Sequence, residues 1–243
     1  MRIPRLFYKG NITPPAEGEL IQLDPPEAKH GVIVLRLHKG DSVTVLSPFG
    51  VASGQVELAT GFGHPKMILK LLSPFQRPEN SGPLLAIALV RPSAFEFALE
   101  KSVELGASQF IPILTSQTRV REFKDTKMSR WEKICITSQK QCGRVAPLEL
   151  WEPIKLETFC ANIDSLVPPD RPRLFLDPQG SPFPKETQRD PLLIVGPEAG
   201  FTATETKMIK EANFSAVTLG PLVLKTETAA LAALAILFAS LGN

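Results

Sequence analysis

The chain has 243 residues, of which 43% are hydrophobic and 21% are charged, and its formal net charge is +2. This composition is that of a globular protein and excludes an intrinsically disordered chain. The small net charge excludes a protein that is basic throughout, and the length permits one large domain or two modest ones.

The cysteines and histidines are too scattered to predict a disulfide framework or a zinc site. Cys135, Cys142 and Cys160 form no CxxC pair and no cluster with histidine, so we expect buried thiols in a reducing compartment and no metal. Residues 1–7 contain no apolar signal core. The longest apolar run, within 228–241, is shorter than the roughly 20 residues of a membrane span. We therefore expect a cytoplasmic protein with no membrane partner.

The sequence pattern of residues 1–73 predicts short strands and turns, and it shows no helical periodicity. Short runs that are apolar or alternate between polar and apolar residues, at 32–35, 42–46, 55–58 and 67–72, are separated by turn sequences. This regular spacing favours a small β-barrel. The following segment, 74–83, contains three prolines and no apolar period, so we predict a linker.

Residues 84–243 change to alternating strands and helices. Predicted strands at 84–90, 110–114, 174–176, 192–195 and 216–219 alternate with predicted helices at 94–106, 127–141, 203–212 and 227–240. The first of these strands is apolar at nearly every position, which is typical of a strand buried on both faces. The alternation predicts an α/β domain with a mainly parallel sheet.

A basic cluster stands between the second and third of these strands. Residues 119–144 hold eight Lys and Arg against three Asp and Glu, a net charge of +5, whereas 161–243 hold seven against nine. A local positive charge suits a polyanionic partner. Charge alone, however, favours the simpler explanation that 127–141 is an amphipathic helix with a solvated face.

Three strand-exit loops carry the pattern that points to a ligand. They are 177–180, 196–202 and 219–226, and each has a glycine or proline near the strand exit. These residue types allow a sharp turn or a close approach to a ligand. Because the carboxyl ends of parallel strands meet at one edge of a sheet, the loops predict one shared pocket.

The pocket lacks the common phosphate-binding fingerprints. Neither G-x-G-x-x-G nor G-x-x-x-x-G-K-[ST] occurs in the sequence, which argues against a nucleotide-dependent oxidoreductase. The loops favour a ligand held through backbone and apolar contacts, such as an adenosine-bearing methyl donor. Single residues also have structural explanations, since Thr202 and Glu205 match a capping box and Glu198 matches a turn carboxylate.

Two segments carry a specific resemblance: 195–202, Val-Gly-Pro-Glu-Ala-Gly-Phe-Thr, and 219–229, Leu-Gly-Pro-Leu-Val-Leu-Lys-Thr-Glu-Thr-Ala. They resemble the bacterial 16S ribosomal RNA uridine N3-methyltransferases of the SPOUT class. Segments 100–106 and 141–144 agree with the same family, as do 2–7 and 34–37. The resemblance thus covers nearly the whole chain.

The resemblance implies a fold and a domain division. Residues 1–73 would be a PUA-like RNA-binding β-barrel, 74–83 a linker, and 84–243 a SPOUT α/β methyltransferase domain with a trefoil knot. It further implies S-adenosylmethionine as the cofactor and a homodimer through the knot domain. The last helix has a small-residue surface that fits either a dimer interface or an intrachain core, formed by Ala229, Ala230, Ala232, Ala233 and Ala235.

The resemblance, carried over residue by residue, implies a cofactor pocket, and the implied reaction adds catalytic and RNA-binding candidates. The cofactor pocket would comprise Leu176, Asp177, Gly196, Glu198, Gly200, Leu219, Gly220, Val223, Leu224 and Thr226. The catalytic candidates are Arg144 and Lys225, as charges opposing a uracil anion, and Glu198 as a general base. RNA contacts are assigned to Arg36, Arg119, Arg121, Lys124 and Arg144.

The sequence departs from the family pattern at several positions. Ala199 stands where glycine is usual, and a positive φ there would cost about 1 kcal/mol or more. Leu222 and Lys225 replace arginines, and Lys225 keeps the charge but lacks the bidentate fork. Lys140 replaces a glutamate.

The implied activity is transfer of a methyl group from S-adenosylmethionine to N3 of a uridine in 16S ribosomal RNA, with that RNA or the small ribosomal subunit as partner. N3 lies on the Watson–Crick edge, so the base must be unpaired or flipped out to react. The alternatives are a SPOUT methyltransferase for another ribosomal or transfer RNA base, and a catalytically weakened RNA-binding or assembly protein.

Overall fold

Two sets of strands form two separate sheets, and each set has its own hydrophobic core. The computed structural model describes residues 3–10, 13–61, 63–118, 125–168, 170–184 and 190–240. The chain divides into unit 1, Met1–Asn80 with Gln139–Pro147, and unit 2, Ser81–Ser138 with Leu148–Asn243. The membership of 139–147 in unit 1 differs from the division predicted from the sequence, which places these residues in 84–243.

Unit 1 contains a five-stranded sheet with the order β1-β3-β4-β5-β2. Its strands are β1 (Arg5–Phe7), β2 (Leu20–Gln22), β3 (Ser42–Ser47), β4 (Gly50–Thr60) and β5 (Lys66–Leu71). The β1–β3 pair is parallel and the other three pairs are antiparallel. Alternate residues point into a core that includes Leu6, Val45 and Leu69, as a side-chain period of two requires.

The strand predicted at 32–35 is wrong. Helix α1 (Pro25–Lys29) continues there into a π-helical turn, His30–Val34. The carboxylate of Asp24 caps α1 by accepting a hydrogen bond from the Glu27 amide at 3.1 Å, and prolines occupy the first two helical positions. A cap followed by proline is a strong start signal, and it overrides the strand propensity of the β-branched run.

Unit 2 contains a seven-stranded sheet in which every described pairing is parallel. Its order is β12-β10-β11-β6-β7-β8, and β9 also pairs with β7. The strands are β6 (Leu84–Ala88), β7 (Gln109–Leu114), β8 (Glu149–Leu150), β9 (Ile154–Lys155), β10 (Arg173–Pro182), β11 (Leu192–Val195) and β12 (Ser215–Thr218). The α/β fold with a mainly parallel sheet, predicted for 84–243, is confirmed, and the remaining strands predicted in 1–73 belong to a separate, largely antiparallel sheet.

Within the described residues, six further α-helices follow α1. They are α2 (Pro92–Glu104), α3 (Asp125–Cys142), α4 (Leu156–Ala161), α5 (Ile163–Leu166), α6 (Ala203–Glu211) and α7 (Thr226–Ser240). Phe95 of α2 packs edge-on against Phe110 of β7, with ring centroids 5.4 Å apart. Helix α7 packs on α2, β6 and β11. All residues of β6 and β11 are buried, as expected for strands covered on both faces.

Strand β10 continues through a bulge and does not end at the predicted boundary. Its pairing with β12 shifts register across 177–180, so this segment projects from the strand. The Asp177 carboxylate shapes the projection by accepting a hydrogen bond from the Gln179 amide at 2.8 Å. A Cβ on Gly180 would lie 2.4 Å from the backbone nitrogen of Val217. Only glycine therefore fits where the bulge passes β12.

The three cysteines form no disulfide with one another; Cys160 is buried as predicted, whereas Cys135 and Cys142 are only half-buried, so the prediction of buried thiols is wrong for these two. Burial, together with the nearby Glu157 carboxylate, raises the pKa of Cys160 to about 11, so this thiol stays protonated at neutral pH. No helix in the described ranges is long and apolar enough to cross a membrane. Within the same ranges, no group of three or more His, Cys, Asp and Glu side chains is placed to hold a metal ion.

Candidate functional site

A cavity of about 980 Å³ lies in unit 2 at the bulge of β10 and the carboxyl ends of β11 and β12. Its walls are the β10 bulge, the segment 195–201 after β11 and the segment 217–224 after β12, with further residues from α6 and α7. The three strands are neighbours in the sheet and run parallel. The three predicted loops therefore come together at one cavity, whose volume is that of a small-molecule site.

The cavity brings together most of the residues predicted to hold the cofactor. Nine of the ten line it: Leu176, Asp177, Gly196, Glu198, Gly200, Leu219, Val223, Leu224 and Thr226. The tenth, Gly220, lies just outside. Its amide is 3.3 Å from the Thr218 hydroxyl oxygen, and its carbonyl is 3.0 Å from the same atom. Gly220 therefore belongs to the turn that leads out of β12.

A buried hydrogen bond joins two of the cavity loops. The Thr226 hydroxyl donates to the Gly196 carbonyl oxygen at 2.9 Å, and only 2% of Thr226 is exposed. Thr226 is the first residue of α7, and Gly196 directly follows β11. The bond therefore holds the start of α7 against the exit of β11.

The segment after β11 makes a tight turn. The Gly200 amide donates to the Pro197 carbonyl at 2.8 Å, and Gly200 has a φ of +76°. Ala199, where the family pattern has glycine, has no positive φ; among described non-glycine residues only Arg36 and Asn213 do. The strain considered for Ala199 does not arise, since the left-handed position of this turn falls on Gly200.

Thr202 and Glu205 form the predicted capping box at the start of α6. The Glu205 carboxylate accepts a hydrogen bond from the Thr202 amide at 2.8 Å, and the Thr202 hydroxyl accepts one from the Glu205 amide at 3.3 Å. The other carboxylate oxygen of Glu205 accepts from the Ser116 amide at 2.8 Å. Sequence reasoning missed this second contact, which ties the loop after β7 to the cavity wall.

The environment of Glu205 favours its ionised form. Burial alone would raise the pKa of this carboxyl, but the hydrogen bonds from Ser116 and Thr202 outweigh burial and lower the pKa below its usual value. The charge is stabilised by backbone amides and by the helix N-terminus, not by a cation. Glu205 is therefore an ionised carboxylate that holds the loop after β7 and the start of α6 together beside the cavity.

Helix α6 supplies a wall that sequence reasoning did not identify. Ala203, Thr206, Lys207 and Lys210 line the cavity, and their spacing of three and four residues places them on one helix face. The Nζ of Lys207 lies 3.8 Å from the Glu211 carboxylate on the exposed surface. The three- and four-residue spacing of these side chains, on a helix that follows a predicted pocket loop, would have been enough to predict this wall from the sequence.

The catalytic candidates fall in different places. Glu198 is exposed and lines the cavity. Lys225 is exposed and immediately precedes Thr226 in the chain, although it does not itself line the cavity. Arg144 belongs to unit 1. The structure therefore brings Glu198 to the cavity and Lys225 to its border.

The residues assigned to RNA include two that the structure describes. Arg36 is exposed and has a φ of +53°. The Nε of Arg144 donates to the Ala146 carbonyl at 2.6 Å, and its Nη2 donates to the Asn80 side-chain oxygen at 3.0 Å. The remaining three, Arg119, Arg121 and Lys124, lie outside the described residues.

Comparison with known proteins shows the family. Residues 78–238 match a family model described as an RNA methyltransferase domain. The ribosomal RNA small subunit methyltransferase E of Synechocystis sp. is 31% identical over 214 residues, which cover 83% of this chain and 67% of the relative. The protein of the same name from Mesomycoplasma hyopneumoniae is 28% identical over 180 residues, which cover 68% of this chain and 72% of the relative.

A solved structure shares the architecture of both units. The putative methyltransferase of Legionella pneumophila, in complex with the bound cofactor SAM, aligns with a TM-score of 0.80 and 28% identity. The alignment covers 99% of this chain and 98% of that one. The family model spans well over half of the sequence, including all three cavity loops. The chain belongs to the RNA methyltransferase family.

Proposed function

We propose that this protein transfers a methyl group from S-adenosylmethionine to N3 of a uridine in the 16S ribosomal RNA of the small subunit. The observation that carries the proposal is the single cavity built by three strand-exit loops in a chain of the RNA methyltransferase family. The names of the sequence relatives support the ribosomal substrate. The SAM-bound Legionella structure supports the cofactor.

The finer features of the fold are part of this proposal. Residues 1–73 would form a PUA-like RNA-binding barrel, 74–83 a linker, and 84–243 a SPOUT domain with a trefoil knot. The five-stranded sheet of unit 1 and the parallel sheet of unit 2 support this division. A ribosomal RNA substrate would also place the protein in the cytoplasm.

The residues of the cavity fit S-adenosylmethionine. The side chains of Leu176, Val223 and Leu224 form apolar walls of the cavity. Among the described residues, the backbone N–H groups of 222–224 donate to no backbone carbonyl. A Cβ on Gly196 would approach the Phe201 ring to 2.9 Å, so glycine leaves room for this ring, which also lines the cavity. Apolar faces and unused backbone donors suit the flat ring and polar edge of adenosine.

The chemistry needs a nucleophilic N3 close to a methyl donor. Bound S-adenosylmethionine supplies an electrophilic methyl group on its sulfonium sulfur. The carboxylate of Glu198, exposed at the cavity, is proposed to accept the N3 proton. The ammonium of Lys225, at the border of the cavity, is proposed to oppose the negative charge that develops on the uracil carbonyls. Holding the base and the donor in one cavity supplies the proximity.

The arginines are assigned to the RNA backbone. Hydrogen bonds to Ala146 and Asn80 hold the guanidinium of Arg144 in a defined orientation within unit 1, which suits a fixed contact to phosphate. Arg36 is exposed in the same unit. Contacts of this kind position RNA without reading its sequence. Arg119, Arg121 and Lys124, from the basic cluster of the sequence, are proposed to extend these contacts along the RNA.

We also propose a homodimer through the C-terminal domain. Ala230 and Ala233 of α7 are fully buried within unit 2, so the intrachain explanation holds for these two members of the small-residue surface. Ala235 is exposed, and Phe238 on the same helix is 48% exposed. Exposed apolar residues on one helix favour burial against a second copy. Light scattering of the wild-type protein and of Ala235→Arg tests the dimer, which the arginine should dissociate.

A nucleoside profile tests the function. RNA from a strain lacking the gene is digested and examined by mass spectrometry, with a strain carrying the restored gene as control. The proposal expects 3-methyluridine to disappear from 16S RNA and to return on restoration. A different missing nucleoside would indicate another RNA base. An unchanged profile, together with no binding of S-adenosylmethionine in calorimetry, would indicate the assembly protein.

A further inference from the structure

The π-helical turn of unit 1 exposes two large apolar side chains. Ile33 is 51% exposed and Val34 is 65% exposed; we name these two residues the apolar tip. Ala28, Gly31 and Leu37 nearby in the chain are buried, whereas Val32 and Leu35 directly beside the pair are half-buried. The turn is therefore anchored in the core of unit 1 while its most apolar side chains face outward.

The backbone holds the apolar tip in a defined shape. The Leu35 amide donates to the His30 carbonyl and the Leu37 amide donates to the Gly31 carbonyl, both at 3.0 Å. Gly31 lies so close to the core that a Cβ there would be 2.7 Å from the sulfur of Met67. Tight anchoring of this kind fixes the direction in which the tip projects.

The turn ends with backbone strain. Arg36, which follows the tip, has a φ of +53°, a conformation that costs about 1 kcal/mol for a residue other than glycine. π-helical turns and left-handed non-glycine residues are frequent at functional sites. The strain is maintained beside a β-branched pair that stays more than half exposed, which favours a role in binding over a role in packing.

The charges around the apolar tip are positive. The segment 28–40 contains three basic residues and two histidines but no Asp or Glu. Lys29, Arg36 and His38 are exposed. Carboxylates in the neighbouring sequence already have partners. Asp24 and Glu57 pair with the Nζ atoms of Lys9 and Lys39, at 3.5 Å and 3.4 Å. Glu27 pairs with Lys140, and Asp41 accepts a hydrogen bond from the His38 amide. A polyanion therefore suits this surface.

We propose that the apolar tip contacts unstacked bases of the RNA substrate, while Lys29 and Arg36 bind the neighbouring phosphates. An apolar wedge flanked by basic side chains can pack on a base or between two bases, because every base offers an apolar face. The inference rests on the proposed function for its RNA substrate. It adds a base contact to a unit for which that function assigns only phosphate contacts.

The test measures RNA affinity as a function of salt. The double variant Ile33→Ser with Val34→Ser is titrated by fluorescence anisotropy against a protein-free fragment of 16S RNA. We expect Kd to rise about 20-fold, because two half-exposed apolar contacts are lost. The slope of log Kd against log salt concentration should not change. Arg36→Gln should instead lower that slope by about 0.7, the value for one phosphate contact on a single strand.

Leu20→Ser is the matched control, since Leu20 of β2 is 63% exposed in the same unit; its Kd should equal that of the wild type. A Kd for the double variant within twofold of the wild-type value overturns the proposal. So does a loss that is seen with assembled small subunits but not with free RNA, since it identifies a ribosomal protein as the partner.

Misfolding of the double variant and failure of the proposed function can each be told apart from failure of this inference. If thermal melting shows that the double variant does not fold, Ile33→Ala and Val34→Ala are measured singly, with about a fivefold rise in Kd expected for each; no rise in either overturns the proposal. Failure of the proposed function looks different, because the wild-type protein would then leave uridine N3 of 16S RNA unmethylated, whatever its affinity for the RNA fragment.

Discussion

The Thr226 hydroxyl donates a hydrogen bond to the Gly196 carbonyl oxygen at 2.9 Å, and this bond joins the first residue of α7 to the exit of β11. Both residues are buried and both line the cavity. Because water cannot replace a lost partner at a buried carbonyl, the bond contributes more than an exposed one would. The shape of the cavity therefore depends on a hydroxyl that carries no chemistry of its own.

Thr226→Val removes this hydroxyl while it keeps the shape of the side chain. We expect S-adenosylmethionine to bind about tenfold more weakly, because the variant leaves the Gly196 carbonyl unpaired and loosens two cavity loops. Calorimetry measures the change. Thr226→Ser retains the hydroxyl and should bind like the wild type. Equal affinity of the valine variant would show that the bond does not shape the site.

Two glycines of the cavity loops should respond to alanine for different reasons. In Gly180→Ala the new Cβ would lie 2.4 Å from the Val217 backbone, so β12 must shift, and we expect a loss of about 2–3 kcal/mol in the free energy of unfolding. In Gly200→Ala nothing lies within 4 Å of the Cβ. Only its φ of +76° is unfavourable, which costs about 1 kcal/mol. Urea unfolding measures both losses, and a larger loss of unfolding free energy for Gly200→Ala than for Gly180→Ala would contradict this explanation.

Glu205→Gln should destabilise the protein in a pH-dependent way. The folded-state pKa of Glu205 is lowered, so its stabilising effect is fully present above the unfolded pKa, about 4.3. That effect is lost as the pH falls through the folded-state pKa. We expect the variant to be less stable by about 2 kcal/mol at pH 7, because one amide group now faces backbone donors.

Thermal melting of both proteins from pH 7 downward measures this difference. The gap between wild type and Glu205→Gln should be constant near neutral pH and should shrink below about pH 4. Glu211→Gln, on the same helix but 67% exposed, should change little at any pH. A gap that grew on acidification would contradict the assignment.

The ion pair between Lys140 and Glu27 should stabilise unit 1. The Lys140 Nζ lies 2.6 Å and 2.8 Å from the two carboxylate oxygens, and the side chains are only 18% and 13% exposed. Glu27 also accepts a hydrogen bond from the Phe7 amide at 2.9 Å. We expect Lys140→Met alone to cost about 2 kcal/mol, since it leaves a largely buried carboxylate unpaired.

A double-mutant cycle with Glu27→Gln isolates the coupling between these two side chains. We expect about 1–2 kcal/mol of coupling, with the unfolding free energies taken from urea titrations. The exposed pair Lys207 and Glu211, 3.8 Å apart, is the control and should couple by less than about 0.5 kcal/mol. Coupling as small as that of the control would show that Lys140, which stands where the family has a glutamate, does not stabilise unit 1 through its contact with Glu27.

The parts of the fold that depend on local pattern were predictable. Strands β6 and β11 are apolar at consecutive positions because both faces of the sheet are covered. The capping box of α6 follows from a threonine and a glutamate three residues apart. Parallel pairing then brings the strand exits to one edge, which is why nine predicted residues meet at one cavity.

The remaining features depend on contacts between residues distant in sequence. The run Val32-Ile33-Val34 has strand propensity, but the capped helix before it and the contact of Gly31 with Met67 place it in a π-helical turn. The bulge in β10 depends on its passage beside Val217. The contact of Glu205 with Ser116 spans 89 residues. No local pattern encodes such contacts.

The most direct test follows a labelled methyl group. The purified protein is incubated with S-adenosylmethionine carrying a labelled methyl group and with small ribosomal subunits that lack the modification, and the RNA is then digested to nucleosides. We predict that the label appears in 3-methyluridine, and that Thr226→Val lowers its rate of appearance at limiting cofactor. Label in another nucleoside, or no label in RNA although the subunits are methylated by a related enzyme, would contradict the account.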